Sequence, residues 1–305
     1  MKNSVSVILT VYNYEDYVRE AIESVLNQLG VDIYLSELVI VNDGSIDKSI
    51  DIINEYGNRK SVKIVNKRNE GQLSAFNSGF KHCNGQIICF LDADDIYYNT
   101  YISTISNYYM ENASCDALFV RREYFGNDNF VEKSKKDEDF GYTVFSSKYL
   151  KEWVGSSTSA FSIKRETLNK ILPLSEIETE WKVRADDCLV WGSSLVGARK
   201  HYINDILIKY RTHENNNNYN NKFTIDYLYK RNLSINKMFN IVMEKNIIRL
   251  DEDLFYLEFK SKSNKLKNLY KYIKILTRVH FDLVNKIVLI ISIIKLALGK
   301  RPIVS

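Results

Sequence analysis

The sequence predicts an α/β protein with a mostly parallel, Rossmann-like sheet and a helical extension at its C-terminus. Two observations in the first 95 residues carry the prediction: four short apolar runs are separated by three amphipathic helical runs, and short polar loops join them. Strands and helices in alternation favour parallel pairing, with helices on both faces of the sheet. Ligands of such sheets bind beyond the carboxyl ends of the strands, so a site is expected there.

The four predicted strands are rich in Val and Ile, the residues that favour extended structure. In chain order they are VSVILTVYN, SELVIVNDGS, VKIVNK and GQIICFLDADD, which begin at Val5, Ser36, Val62 and Gly85. The three helices between them are predicted from apolar residues at intervals of three and four. Their sequences are YVREAIESVLNQL, SIDKSIDIINEY and GQLSAFNSGFKHC, which begin at Tyr17, Ser45 and Gly71.

Composition excludes several classes of protein. Of the 305 residues, 45% are apolar, which is enough for a sizeable globular core. The four cysteines form no CxxC pair, so neither a disulfide framework nor a structural zinc site is predicted. The apolar run at the N-terminus is too short for a signal peptide, and a cytoplasmic location is therefore predicted.

Charge is divided unevenly along the chain. Residues 1–215 carry 25 Lys and Arg against 31 Asp and Glu, a net charge of −6, whereas residues 216–305 carry 17 against 7, a net charge of +10. A basic C-terminal part favours an anionic partner. No nucleic-acid-binding module is recognisable, so a membrane surface is the partner predicted.

Polar side chains follow three of the four predicted strands. The first strand ends in Thr10, Tyr12 and Asn13, the second in Asn42 and Asp43, and the fourth in Asp92, Asp94 and Asp95. Each group alone is common in α/β proteins. Because the carboxyl ends of parallel strands lie along one edge of the sheet, the three groups together predict a site at that edge.

Six segments, in this order, resemble the motifs of glycosyltransferase family 2: SVILTVYN, LVIVNDGSIDKS, NEGQLSAFNSGF, ICFLDADD, ADDCLVW and KYRTHENN. An ordered set is far more specific than any single motif. The resemblance covers roughly residues 4–218 and implies an A-type glycosyltransferase fold, a nucleotide-diphosphate-sugar donor, a divalent metal and inversion at the anomeric carbon. The function it implies is metal-dependent transfer of a sugar, with UDP-sugar as the favoured donor, to a hydroxyl of a glycan or lipid-linked glycan in polysaccharide biosynthesis.

This resemblance also implies how the chain is divided. Residues 1–115 are predicted to be the nucleotide-sugar-binding half, and residues 116–215 the acceptor-binding half of the same catalytic domain. Residues 216–305 are predicted to form a basic helical extension.

The pattern Asp92-Ala93-Asp94 is the predicted metal site. Residues two apart at the end of a strand project to the same side, and hard carboxylate oxygens select Mn²⁺ or Mg²⁺, which also bind phosphate oxygens. The alternative is a solvated Asp-rich turn. Asp95 is expected to cap a following helix, because short acceptors suit that position. The resemblance adds His213, in KYRTHENN, as a third metal contact.

The donor site is predicted from the ends of the first two strands and the helix after the third. The carboxylate of Asp43 can accept a hydrogen bond from a ring N–H, and the resemblance implies that it lies on the nucleotide base, for which uracil fits. Tyr12 is expected either to stack on that base, with Thr10 beside it, or to pack as an ordinary tyrosine. The beginning of the helix at Gly71 either offers free N–H groups to a phosphate or sugar, or is an ordinary glycine-containing turn that starts a helix. Asn13 and Asn77 match the family motifs, whereas Thr10 and Phe76 stand where the family often has Pro and Arg.

Asp187, in RADDCLVW, falls on the position of the family's catalytic base, and Asp186 is its alternative. Inverting transfer needs a carboxylate that takes the proton of the attacking hydroxyl. Two adjacent carboxylates also occur as the N-terminal charges of an ordinary helix, and that interpretation stays open.

The C-terminal part begins with NNNNYNN, predicted as a loop, and continues with helical periodicity in IDYLYKRNLSINKMFNIVMEK. Residues 283–298 are mostly apolar, with Asn285, Ser292, Lys295 and Gly299 near one stripe. An interfacial helix at the cytoplasmic face of an anionic membrane is one interpretation. A helix packed on the catalytic domain or in a homodimer is the other.

Two other functions remain open at this point. A non-catalytic nucleotide-sugar-binding protein would need no base at 186–187. A phosphatase or phosphotransferase with an Asp nucleophile also has a DxD after a strand, but its motif follows the first strand and not the fourth.

Overall fold

The computed structural model describes residues 4–214 and 224–300. The Asn-rich segment predicted as a loop, residues 215–221, lies outside them. The described residues contain ten strands in a single sheet. The strands are β1 Val5–Val11, β2 Leu35–Asn42, β3 Val62–Asn66, β4 Ile87–Asp92, β5 Ile96–Tyr97, β6 Ala117–Gly126, β7 Phe130–Val131, β8 Glu138–Gly141, β9 Phe161–Lys164 and β10 Lys200–Thr212.

Twelve α-helices occur in the same residues. They are α1 Val18–Leu26, α2 Val31–Tyr34, α3 Ser49–Asn54, α4 Gln72–His82, α5 Tyr101–Glu111, α6 Val144–Leu150, α7 Arg165–Leu168, α8 Asp186–Leu195, α9 Ile225–Lys245, α10 Glu252–Lys260, α11 Lys265–Leu276 and α12 Leu283–Ala297. Two 3₁₀ helices, Thr158–Ala160 and Ser175–Glu180, lie in the connections before β9 and α8.

The sheet has the order β3-β2-β1-β4-β9-β6-β10-β5, with β7 beside β6 and β8 beside β10. Strands β1 to β4 pair in parallel, as the alternating pattern predicts, and β6 pairs in parallel with β10. The short β9 runs antiparallel between β4 and β6 and joins the two halves of the sheet. The register places Thr10 opposite Asp92, so the polar ends of β1 and β4 are neighbours.

Helices cover both faces of this sheet. Alternate residues of β1 enter different cores: Val7 and Leu9 pack in the core with α1, α3 and α5, whereas Ile8 packs in the core with α4, α8 and α9. Strands buried on both faces explain the near-continuous apolar runs in the sequence. The predicted α/β fold with a mostly parallel sheet is confirmed.

The C-terminal helices belong to the folded body. Helix α9 packs on α8 through Met238 and Phe239, and α10, α11 and α12 share an apolar core with α6. The buried Glu258 of α10 accepts hydrogen bonds from the backbone N–H groups of Phe145 and Ser146, at 2.8 and 3.2 Å. Because these N–H groups begin α6, Glu258 of α10 caps that helix.

Helix α12 differs from the expected amphipathic arrangement in one respect. Ser292, placed on the polar stripe by the sequence, is fully buried next to Ile293 and Leu289, because this side of the helix packs on the other C-terminal helices. An apolar stripe at intervals of four residues faces outward instead. It consists of Leu283, Ile287 and Ile291, with the neighbouring Val284 and Leu298. Within the part of the chain that the structure describes, no helix is both long enough and apolar enough to cross a bilayer.

Candidate active site

Two adjoining cavities open at the carboxyl ends of the central strands. The first, which we call the β1 cavity, has a volume of about 350 Å³ and is lined by residues at the ends of β1, β2 and β4 and by α4. The second, the α8 cavity, has a volume of about 670 Å³ and lies against α8, α9 and β6. Both volumes are typical of small-molecule sites. The four residues that line both cavities are Ser157, Arg184, Asp186 and Tyr210.

Asp92 and Asp94 line the β1 cavity together with Thr10, Tyr12 and Ala93. Burial, with the charges of Asp94 and Asp186, raises the pKa of Asp92 to about 8. Burial and the neighbouring carboxylates disfavour the charged form of Asp92, and a bound cation would favour that form. Asp43 and Gly71 line the same cavity, so the structure brings together seven of the nine residues predicted to bind the donor.

His213 and Asp95 differ in their relation to this cavity. The His213 Nε2 atom lies 3.0 Å from Asp94 Oδ2, so the predicted third metal contact lies beside the acidic pair. Asp95 does not cap a helix, and this prediction is wrong because β5 follows it and α5 begins at Tyr101. Its buried carboxylate accepts hydrogen bonds from Ser159 Oγ, at 2.5 Å, and from the Arg211 backbone N–H, at 2.9 Å.

The residues present fit a divalent cation that the donor would help to coordinate. Among residues 4–214 and 224–300, no three His, Cys, Asp or Glu side chains form a metal cluster by themselves. Mg²⁺ and similar ions usually bind one or two carboxylates together with substrate phosphates, so a complete protein cage is not required. Asp92 and Asp94 lie in one wall of the β1 cavity, and this pair of hard carboxylate ligands is the observation that favours a cation here.

Asp43 is buried at the end of β2 and already has several partners. Its Oδ1 atom accepts hydrogen bonds from Lys67 Nζ at 2.7 Å and from the Glu70 N–H at 3.1 Å, and its Oδ2 atom accepts one from the Gly71 N–H at 2.8 Å. A carboxylate has about four acceptor positions, so Oδ2 keeps one for a ligand. The partners fix the orientation of this carboxylate in the wall of the β1 cavity.

Asn13 and Asn77, which match the family motifs, lie outside the β1 cavity. Asn13 accepts a hydrogen bond from the Ile46 N–H, at 2.9 Å, and holds the β1 and β2 loops together. Asn77 is buried on α4, where it donates to Glu178 at 2.6 Å and accepts from the Leu174 N–H at 3.2 Å.

The beginning of α4 does not offer the free N–H groups that one of the two interpretations predicted. The Gln72 and Leu73 N–H groups donate to the carbonyl oxygens of Lys182 and Trp181, at 2.9 and 3.2 Å. A Cβ atom at Gly71 would lie 2.4 Å from the Cα atom of Lys182. The absence of a side chain at Gly71 therefore allows the segment with Trp181 and Lys182 to approach closely. The carbonyl oxygens of this segment accept the hydrogen bonds that a phosphate was expected to accept.

Asp186 and Asp187 begin α8 and face the α8 cavity, and Asp186 also lines the β1 cavity. Asp187 is almost fully buried and forms an ion pair with Arg231 of α9. Burial, with the charge of Asp186, raises the pKa of Asp187 to about 6, although Arg231 and Arg184 oppose the shift. Asp187 is consequently a stronger base than an ordinary aspartate, and it is largely ionised at neutral pH.

Comparison with known proteins identifies the family of the chain. Residues 6–172, more than half of the chain, match the family model described as glycosyl transferase family 2. The chain belongs to this family. This family 2 chain is 32% identical over 220 residues to an uncharacterised glycosyltransferase of Nostoc sp., an alignment that covers 70% of the chain and 66% of the relative.

Other relatives of the family 2 chain are aligned over shorter regions. It is 40% identical over 109 residues to the minor teichoic acid biosynthesis protein GgaB of Bacillus subtilis, covering 35% of this chain and 12% of that protein. The chain thus spans less than two thirds of the length of these relatives. Among solved structures, residues 1–349 of TarS from S. aureus, in complex with UDP-GlcNAc, superpose with a TM-score of 0.57 at 16% identity, covering 98% of this chain and 73% of that one. This likeness shows the A-type fold that the sequence predicted.

Three residues of the family 2 chain were not found from its sequence. Arg184 lines both cavities in a left-handed conformation, with φ 59°, which costs about 1–2 kcal/mol in a residue other than glycine and often marks a functional position. Its signal was the pair of basic residues in WKVRADD, just before the acidic pair. Gln72 and Arg231 had no such signal, because their roles depend on contacts between distant segments.

Proposed function

We propose that this protein is an inverting, metal-dependent glycosyltransferase that uses a UDP-sugar as donor and a hydroxyl of a glycan or lipid-linked glycan as acceptor. The observation that carries the proposal is the shared wall of the two cavities, where Asp186 and Arg184 contact both. Molecules held in adjoining cavities can react at their junction without crossing solvent. TarS in its complexes with UDP-GlcNAc and UDP has the same fold, which supports the choice of donor.

The β1 cavity is assigned to the donor. The remaining acceptor position of Asp43 would bind the N–H of uracil, and the exposed ring of Tyr12 would stack on the base. Asp92 and Asp94 would hold a divalent cation. When bound, Mn²⁺ or Mg²⁺ neutralises the negative charge that grows on the departing diphosphate. Lys182 and Arg184 lie in the same wall and place two further positive charges near that group.

The α8 cavity is assigned to the acceptor. Its wall includes the partly exposed rings of Trp153 and Phe130, and Phe130 stacks on Tyr124 with ring centres 4.2 Å apart. Aromatic faces of this kind bind the apolar faces of sugar rings. Asp187 would take the proton from the attacking hydroxyl, on the side opposite the leaving diphosphate.

A screen of nucleotide-sugars tests the proposal. Release of the nucleoside diphosphate is measured with UDP-, GDP-, ADP- and CDP-sugars, with and without Mn²⁺, and with a panel of oligosaccharides as acceptors. We expect turnover with a UDP-sugar that requires the metal and an acceptor. Tight binding of a UDP-sugar without any turnover would identify a non-catalytic binding protein instead.

The pH dependence of transfer gives a second test. Asp187 must be ionised to act as a base, so activity should fall as the pH drops through about 6. The Arg231 guanidinium lowers the pKa of Asp187, and Arg231→Met should therefore move this acidic limb to higher pH. The limb is measured from kcat/KM between pH 5 and pH 9, because kcat/KM reports the free enzyme.

Lys237→Met is the matched control for Arg231→Met. Lys237 lies on the same helix but pairs with Glu180, and its substitution should leave the acidic limb in place. If the acidic limb of kcat/KM lay at the same pH in the wild type and in Arg231→Met, Arg231 would not control the ionisation of the base.

The outward stripe of α12 supports a peripheral membrane location. Ile287 and Ile291 are 48% and 39% exposed, and Lys286 and Lys295 lie on the same helix. Apolar side chains flanked by lysines are typical of helices that lie in an anionic interface. A location at the cytoplasmic face of a membrane would bring the protein to the surface that holds a lipid-linked acceptor.

The double variant Ile287→Glu, Ile291→Glu tests this location. Removing two apolar side chains and adding two negative charges should weaken binding to phosphatidylglycerol vesicles at least about tenfold, since each buried CH₂ contributes about 0.8 kcal/mol. The control Leu29→Glu, Ile33→Glu changes exposed apolar residues near α2. Sedimentation with vesicles measures binding, and light scattering measures mass.

Each outcome has a definite meaning. Binding that depends on anionic lipid and is lost only in the α12 variant supports the membrane location. Vesicle binding that is absent or equal in all forms contradicts it, and a dimer that dissociates in the α12 variant identifies the stripe as a homodimer interface. Deleting residues 280–305 is a poor test, because Leu289 and Ile293 would leave the core they share with α10 and α11.

A further inference from the structure

The side chain of Gln72, at the first position of α4, forms hydrogen bonds to Asp92 and to the residue that precedes α8. Its Nε2 atom donates a hydrogen bond to Asp92 Oδ1, at 3.2 Å. Its Oε1 atom accepts one from the backbone N–H of Ala185, at 2.9 Å. Ala185 directly precedes Asp186 and Asp187, so a single amide joins the carboxylates of β4 to the beginning of α8.

The backbone around Gln72 is fixed by the same neighbours. The Gln72 and Leu73 N–H groups donate to the carbonyl oxygens of Lys182 and Trp181. The absence of a Cβ at Gly71 lets Lys182 approach closely enough for these bonds. The segment 181–185, which carries Arg184, is thus held along the start of α4 by three hydrogen bonds, and the Gln72 side chain makes the third.

We propose that Gln72 is a positioning residue. It sets the position of Asp186 and Asp187 at the start of α8 relative to Asp92 in the β1 cavity. This inference rests on the proposed function. The distance between Asp92 and the acidic pair of α8 matters only if donor and acceptor react between them. Gln72 lines the β1 cavity, but in this role it acts through Asp92 and the start of α8 and not on the reacting atoms. Its contribution is to hold Asp92 in one orientation and the first turn of α8 in one position, which a transfer reaction needs.

The chemistry of the two contacts requires an amide. Ala185 presents an N–H and needs an acceptor, whereas the Oδ1 atom of Asp92 is an acceptor and needs a donor. A glutamate has nearly the same shape but cannot donate to Asp92 when ionised. A methionine has similar length but offers neither group in useful strength. Gln72→Glu therefore removes only the hydrogen bond to Asp92, whereas Gln72→Met removes this bond and the one from Ala185.

The test compares Gln72→Glu and Gln72→Met with the wild type. Amide hydrogen exchange at Ala185, followed by NMR, reports the contact to α8 without any need for activity. We expect faster exchange in Gln72→Met and little change in Gln72→Glu, which keeps the acceptor. Gln86→Glu, an exposed change at the start of β4, is the control and should alter neither exchange nor turnover.

Turnover supplies the functional half of the test. With Mn²⁺, a UDP-sugar and an acceptor, we expect Gln72→Met to lower kcat by on the order of 10²-fold, the effect of a small misplacement of reacting groups. The KM for acceptor and the melting temperature should change little. In Gln72→Glu, the added negative charge should weaken UDP binding with Mn²⁺ as well.

Two results would overturn the inference. Unchanged kcat in Gln72→Met, with faster exchange at Ala185, would show that the contact exists but does not position the reaction. A fall in kcat that merely follows a fall in melting temperature would show a structural role alone. Absence of transfer in the wild type would instead count against the proposed function, while the exchange at Ala185 would still report whether Gln72 holds α8.

Discussion

Replacing Asp187 by Asn should lower sugar transfer by on the order of 10²–10⁴, the usual contribution of a positioned base. The amide has nearly the same shape but cannot accept the proton of the attacking hydroxyl. UDP affinity should stay within a few-fold, because Asp187 lines the α8 cavity and not the β1 cavity. Steady-state kinetics measure transfer, and calorimetry measures UDP affinity.

Asp186→Asn is the matched comparison, since it removes the same charge one residue away. It should reduce transfer less, and, because Asp186 also lines the β1 cavity, it should affect donor binding more. If Asp186→Asn proved the more damaging for kcat, the base would be Asp186. A melting temperature measured for each variant separates loss of the base from loss of the Arg231 ion pair.

Asp92→Asn and Asp94→Asn should each abolish metal-dependent donor binding while leaving the fold intact. Each change removes one negative charge at nearly constant volume, and an amide is a weaker ligand for a hard cation. The measurement is calorimetry of UDP with and without Mn²⁺. The wild type should bind UDP more tightly when Mn²⁺ is present. Each of the two variants should bind UDP with the same affinity in the presence and in the absence of Mn²⁺.

Asp51→Asn is the control for these two variants, because Asp51 is an exposed acid on α3. It should retain the full effect of Mn²⁺. Affinity that is unchanged in both Asp92→Asn and Asp94→Asn would rule out the metal role of the pair. Affinity for UDP that is independent of Mn²⁺ in the wild type would rule out metal dependence of donor binding altogether.

The sequence predicts the first half of the fold well for a physical reason. In β1, buried residues such as Ile8 and Leu9 alternate between two cores, so the strand is mostly apolar and easily recognised. The following helices keep a clear spacing of apolar residues. The antiparallel β9 had no comparable signal, because its position between β4 and β6 is decided by long-range pairing.

The candidate site could be predicted where it depends on strand ends. Asp43, Asp92 and Asp94 lie in the wall of one cavity because parallel strands end at one edge. The prediction for Asp95 was wrong, and at the start of α4 only the interpretation with an ordinary glycine turn remains, since both cases depended on local rules for helix ends. The actual partners, Arg211 for Asp95 and Lys182 for the N–H group of Gln72, come from more than 100 residues further along the chain.

The C-terminal part shows the same limit. Periodicity predicts α9 correctly, but it cannot show that Arg231 of that helix would pair with Asp187. The sequence likewise could not decide which face of α12 is buried, because Ser292 and Ile293 are neighbours and packing placed both inside. The division into parts at residues 115 and 215 stays a prediction.

The central claim is that the two cavities form one active site that moves a sugar from a molecule in the first to a molecule in the second. It is tested most directly by mass spectrometry and NMR of the products formed from a UDP-sugar, Mn²⁺ and a panel of oligosaccharides and short-chain polyprenyl-diphosphate sugars. The account predicts an acceptor that gains one sugar residue with inverted anomeric configuration, and no such product with Asp187→Asn. Retained configuration, or a UDP-sugar that is bound but never transferred to any acceptor, would contradict it.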